Sequence, residues 1–229
     1  MAIFVCSNSG DDEAQLTNPR EVWFGGTFDP VHNGHLISAL ELVSQLNLDS
    51  VHLTPCYISP HKMQSACSVE DRVNMLMLAT EHCEALDVDL REIKREGSSK
   101  TVDTLRGLRA ELGDARPLIW AVGWDAFTGL HTWFEWQSIF ELANIVVVER
   151  PGFNMNLEPE LQAFCAGREA IAEELFNYNF GKLVMLDTPI VEISSSQIRE
   201  KRMRNESVQF LLPESVVSYI DDNNLYQSV

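Results

Sequence analysis

The residues best suited to chemistry lie in one short run, Gly25-Gly26-Thr27-Phe28-Asp29-Pro30-Val31-His32-Asn33-Gly34-His35. The apolar stretch Glu21 to Phe24 precedes it, and an amphipathic stretch starting at Leu36 follows. A strand feeding a glycine turn that opens a helix is where α/β proteins bind phosphate. The first helical turn offers unpaired N–H groups and a partial positive charge there. With a helix starting near Asn33, the imidazoles of His32 and His35 both sit at its N-terminal end and can face one anion. The same two rings could instead cap the helix, or join Asp29 as metal ligands. The sequences GxGxxG, GxxxxGK[ST] and HExxH are absent, so the dinucleotide fingerprint, the P-loop and the zincin readings do not apply.

A second polar turn, Ile193-Ser194-Ser195-Ser196-Gln197-Ile198-Arg199, opens a short basic helix. Taken alone it is an ordinary serine N-cap. Taken with the first turn it gives a second phosphate-shaped site, with hydroxyls at a helix start and Arg199 one turn on. Two such sites suit a substrate carrying several phosphates. No carboxylate pair or serine triad accompanies them.

The elements that must position these turns follow from periodicity. Residues 21–26 form a first strand, and Leu36, Leu40 and Val43 carry a helix to about Leu46. Val51–Thr54 is a second strand. Ser68 and Asp71 read as a capping box for a helix reaching about His82. Leu86, Val88 and Leu90 alternate as a half-exposed strand, and Val102–Leu112 is a helix stopped by Gly113. Pro117–Val122 is a central buried strand, Phe134–Leu142 is helical, and Ile145–Val148 is another buried strand. Residues 157–176 read as helix, Leu183–Leu186 as strand, and a last helix follows Pro213. Strands alternating with helices imply an α/β fold, a Rossmann-like doubly wound parallel sheet of about five or six strands, with its ligand at the C-terminal strand ends. Residues 1–20 read as a flexible tail, 21–229 as a single domain, and 196–229 as a small C-terminal helical extension.

Composition narrows the partners. The formal net charge is −17 over 229 residues. That argues against nucleic acid or a membrane surface, which call for a basic face. An anionic substrate must then be held by a local pocket built from helix N-termini, histidines and a few Arg or Lys. The five cysteines are odd in number, contain no CxxC, and read as reduced thiols of a cytoplasmic protein. No apolar run approaches the roughly 20 residues of a membrane span. The sequence leaves the oligomeric state open and allows a homo-oligomer.

GGTFDPVHNGH resembles the GxFxPxHxGH signature of the HIGH-motif nucleotidyltransferase superfamily, and ISSSQIR resembles its second signature, ISSTxxR. Within that superfamily the chain is most similar to the bacterial nicotinate-nucleotide adenylyltransferases, over roughly 21–228. The shared segments include Ser59-Pro60-His61-Lys62, Thr101 to Leu105, Gly123-Trp124-Asp125, Thr132-Trp133-Phe134, Glu149-Arg150-Pro151-Gly152 and Leu211 to Glu214. The resemblance implies transfer of AMP from ATP to nicotinate mononucleotide, with Mg²⁺ travelling on the ATP and no metal cage in the protein. It implies His32, His35 and Arg199 as catalytic residues, and Gly25, Gly26, Thr27, Phe28, Ser195 and Ser196 as further ATP contacts. Thr101, Gly123, Asp125, Trp133, Phe134, His61 and Arg150 would serve the mononucleotide, with Trp133 stacking on its ring. Trp120 and Trp136 read as core, and His61 reads equally well as a solvated loop residue. Lys100 and Ser196 depart from the family, which often has an aromatic residue and a threonine there, and Asn205 stands where a glycine commonly ends the helix. Nearby alternatives are another phosphate acceptor, such as nicotinamide mononucleotide, phosphopantetheine or a cytidylyl-type substrate. More distant ones are a non-catalytic nucleotide sensor and a metal hydrolase.

Overall fold

A computed structural model describes residues 18–58, 65–149, 157–189 and 191–227. Six strands form one parallel sheet: β1 (Glu21–Gly26), β2 (Ser50–Pro55), β3 (Leu86–Val88), β4 (Ile119–Gly123), β5 (Asn144–Glu149) and β6 (Leu183–Asp187), in the order β3-β2-β1-β4-β5-β6. The helices are α1 (Asn33–Leu46), α2 (Val69–Thr80), α3 (Arg91–Arg95), α4 (Thr101–Leu112), α5 (Trp124–Thr128), α6 (Trp136–Leu142), α7 (Pro159–Cys165), α8 (Ser195–Met203) and α9 (Glu214–Asp222). Among the described residues, no helix is long and apolar enough to cross a membrane.

Two cores lie on opposite faces of the sheet. Successive strand residues alternate between them: Val22, Phe24, Ile119, Ala121, Val146 and Val148 pack on one side with α1, α2 and α9. Trp23, Trp120, Val122, Ile145 and Val147 pack on the other with α4, α6 and α7. Apolar residues at every strand position are what a doubly covered parallel sheet requires. The expected α/β architecture is therefore the observed one.

Several local expectations are met. Ser68 and Asp71 form the reciprocal capping box of α2. Gly113 ends α4 at φ 77°, and Asn205 takes φ 55° just beyond α8, the left-handed stop that Asn tolerates. Others are not. The continuous helix expected over 157–176 is interrupted: α7 ends at Cys165, Gly167 turns at φ 80°, Glu169 bridges to Leu183, and a 3₁₀ turn spans Ala172–Asn177. Gly167 breaks the helix, and Leu161, Cys165 and Leu175 all stay buried across the break. Arg20, read with the tail, belongs to the fold. Its guanidinium donates to Leu46 C=O (2.7 Å) and lies 4.1 Å from the Phe176 ring centre.

Candidate active site

The two strands flanking the change of direction in the sheet order, β1 and β4, end at a cleft of about 1250 Å³. That is the crevice where doubly wound folds bind nucleotides, and it exceeds the roughly 300–1,000 Å³ of small-ligand pockets.

The turn after β1 is packed by its own rings. A Cβ on Gly25 would stand 2.4 Å from Cζ2 of Trp120, and one on Gly26 would stand 2.6 Å from Cζ of Phe28. These glycines therefore make room for buried aromatics beneath the cleft floor. Phe28 sits at φ 50° and is 1% exposed, its ring turned back under the turn and edge-on to His35. Arg72 is wholly buried and joins the ends of β1 and β2. Its guanidinium donates to the carbonyls of Thr27 (2.7 Å), Cys56 (2.7 Å) and Tyr57 (3.0 Å).

His32 is the N-cap of α1 and His35 its third residue, and the two cap reciprocally. The His35 amide donates to Nδ1 of His32 (3.3 Å), and the His32 amide donates to Nδ1 of His35 (3.2 Å). The rings stack 3.6 Å apart at 22°. Capping and anion binding, posed as alternatives from sequence, are compatible. An Nδ1 that accepts an amide hydrogen places the proton of a neutral imidazole on Nε2, so the cap does not use the ring's N–H.

Asp29 anchors the turn. Its buried carboxylate accepts from the Ala66 amide (2.8 Å), the Tyr226 hydroxyl (2.8 Å) and the Cys67 thiol (3.3 Å). Burial, with Asp29 adjacent, pushes the Cys67 thiol up to about 12 and the Tyr226 phenol well above its usual value. Both stay protonated as donors. Among the described residues, no three His, Cys, Asp or Glu side chains converge as metal ligands.

The second signature is clasped to the first. Ser194 caps α8, Ser195 Oγ donates to Pro30 C=O (2.9 Å), and Arg199 donates to Asp29 C=O (2.6 Å) and Ser196 Oγ (3.1 Å). A guanidinium has five N–H donors, so these bonds leave Arg199 with further capacity. On the strand beside β1, Gly123 closes β4 and exposed Asp125 lies in the first turn of α5. Thr101 begins α4, which has no side-chain cap, and half-buried Trp133 and exposed Phe134 follow a 3₁₀ turn. Gly25, Gly26, Thr27, Phe28, His32, His35, Ser195, Ser196 and Arg199 thus share one cleft with Thr101, Gly123, Asp125, Trp133 and Phe134. His61 and Arg150 lie outside the described residues.

Sequence reasoning missed other residues here. Trp120, read as core, is 2% exposed and also lines the cleft. Glu92 lines it too, as does Lys100, which the sequence singles out next to Thr101. Arg72 and Tyr226 act from 45 and 197 residues away along the chain, distances at which no local pattern signals a partner.

The cytidylyltransferase-like family model matches residues 23–201. A probable nicotinate-nucleotide adenylyltransferase from Cellvibrio japonicus is 42% identical over 204 residues, covering 89% of this chain and 97% of its own. One from Chromohalobacter salexigens is 42% identical over 215 residues, covering 93% and 98%. Among solved structures, Plasmodium falciparum nicotinic acid mononucleotide adenylyltransferase complexed with NaAD superposes with a TM-score of 0.69 at 18% identity, covering 91% of this chain and 98% of that one. That similarity speaks for the fold. With the relatives matched over nearly their whole length, the chain belongs to the nicotinate-nucleotide adenylyltransferase family of cytidylyltransferase-like enzymes.

Proposed function

We propose that the protein transfers AMP from ATP to nicotinate mononucleotide, giving nicotinate adenine dinucleotide and pyrophosphate on the route to NAD, in the cytoplasm. The observation that carries this reading is the clasp of Ser195 and Arg199 onto Pro30 and Asp29. It brings a hydroxyl-rich helix start and the paired histidines together in the cleft that the aromatic residues Trp133 and Phe134 also line.

The attacking group is the mononucleotide's 5′-phosphate. With a second pKa of about 6 it arrives anionic, so no general base is needed. Catalysis reduces to in-line placement and charge stabilisation at the α-phosphoryl group. His35 donates from Nε2 to the α-phosphate as charge builds there, and His32 donates to the ATP phosphates. Main-chain N–H groups around Gly26, Thr27 and Phe28 hold the nucleotide phosphates. Ser195, Ser196 and Arg199 hold the β- and γ-phosphates that leave. Mg²⁺ enters with ATP on phosphate and water oxygens. Trp133 stacks on the pyridine ring, while the main chain at Thr101 and Phe134 meets its carboxylate. Gly123 and Asp125 serve the ribose-phosphate side, and His61 and Arg150 are candidate contacts for the mononucleotide.

Pyrophosphate release from MgATP, measured with nicotinate mononucleotide, nicotinamide mononucleotide and phosphopantetheine as acceptors, tests the proposal. Turnover is expected with the nicotinate form. A protein inert towards both pyridine mononucleotides, or active only on phosphopantetheine, overturns it.

A further inference from the structure

Lys100 stands in a position that helix energetics disfavour. It is the N-cap residue of α4, where Ser, Thr, Asp or Asn are preferred, and its side chain makes no capping bond. An ammonium beside a helix N-terminus also meets the positive end of the helix dipole. Among the described residues, no carboxylate lies within ion-pair distance of it. Its Nζ instead rests 4.0 Å from the centre of the half-exposed Phe134 ring. Both residues line the cleft. Apart from Arg199, Lys100 is the one Lys or Arg among the described cleft residues of a chain whose net charge is −17.

A cation held by a ring, against an uncapped helix start, at the wall of a cleft, is arranged for an anion still to come. The ammonium and the free N–H groups of the first turn of α4 would meet the same charge, and the arriving anion would relieve their mutual repulsion. We propose that Lys100 is a specificity-determining residue that contacts the carboxylate of the acceptor's pyridine ring and favours the acid over the amide form. This rests on the function proposed above. The amide carries the same phosphate, ribose and ring, so discrimination must act at the substituent, where a neutral carboxamide oxygen can accept a hydrogen bond from the ammonium but brings no opposite charge to it.

The test compares wild type with Lys100→Met, Lys100→Arg and Lys100→Ser, using nicotinate and nicotinamide mononucleotides at saturating MgATP, together with the melting temperature of each protein. Lys100→Met is expected to raise KM for the acid form by about tenfold or more, leaving KM for ATP and for the amide form unchanged. Lys100→Arg should restore most of the preference. Lys100→Ser should lose the preference yet melt no lower than wild type, since serine is the better cap, an outcome that a structural role for the lysine would not produce. An active wild type whose acid-to-amide ratio survives in Lys100→Met overturns the role of Lys100 alone. Equal losses on both acceptors assign the lysine to the shared phosphate and overturn it as well. A wild type inert towards both acceptors overturns the proposed function together with this inference.

Discussion

At the scale of single residues, the two histidines combine two tasks on the proposed function. Each uses Nδ1 to cap the helix, and the mechanism proposed above gives Nε2–H of His35 to the α-phosphate, so an alanine variant would confuse stability with chemistry. An asparagine can separate them, because its side-chain oxygen can take the place of Nδ1 but offers nothing at Nε2. In His35→Asn we expect turnover to fall by roughly two orders of magnitude, as when one preorganised donor is lost. ATP affinity should stay within a few-fold and the melting temperature close to wild type. In His35→Ala the same loss of rate should come with a drop of about 2–4 °C, the equivalent of a lost cap. Single-turnover kinetics and thermal melts on both variants check this, and a His35→Asn enzyme with undiminished rate would refute the role given to Nε2.

At the scale of elements, the site depends on side chains that bridge segments. Arg72 of α2 ties the turn after β1 to the turn after β2 through three carbonyls. Replacing it with methionine takes the guanidinium donors away from those three part-buried carbonyls. The expected cost is about 3 kcal/mol or more, seen as a lower midpoint in urea with an unchanged slope. The start of α4 rests on a second bridge, in which the buried Glu92 carboxylate accepts from Thr104 Oγ1 (2.6 Å) and Arg95 donates to that same hydroxyl (3.0 Å). Burial holds the Glu92 carboxyl above its ordinary value, against the lowering effect of Thr104, Ser99 and Arg95. The folded state therefore binds that proton more tightly than the unfolded chain. Its contribution to stability is complete below the unfolded value of about 4.3 and is lost as pH rises through the raised folded value. Glu92→Gln keeps an acceptor without the charge, so its melting temperature relative to wild type should rise between pH 4 and pH 7. A flat difference would exclude burial of charge as the cause. Such bridges also mark where the sequence stopped being legible. The sheet, the capping box at Ser68 and the stop at Asn205 are written in neighbouring residues, and the two signature turns announce themselves by composition. The 3₁₀ turn after Gly167 hid inside a helical apolar spacing, and the short α3 had too few residues for a period. Arg72 and Tyr226 were opaque because their partners are fixed only by the sheet order.

At the scale of the whole molecule, a net charge of −17 surrounds a cleft meant for anions. Self-repulsion at that charge weakens the folded state, and salt relieves it by shortening the screening length from about 30 Å at 0.01 M to about 8 Å at 0.15 M. We expect the melting temperature to rise by about 2–4 °C over that range, roughly 1 kcal/mol for a chain of this size. Calorimetry in KCl checks it, and a fall would mean that surface ion pairs outweigh the repulsion.

The sheet order carries a consequence for synthesis. The first signature leaves the ribosome with β1, early, and β2 and β3 soon pack beside it. One wall of the cleft is still missing, because β4 starts only at Ile119, and the clasp from α8 arrives only with Ser195 and Arg199. Until β4 is made the nascent chain therefore carries this glycine turn on an open sheet edge, with β4's place beside β1 vacant. On the proposed function, nucleotide can stabilise the protein only once α8 has been made and has closed onto the first turn.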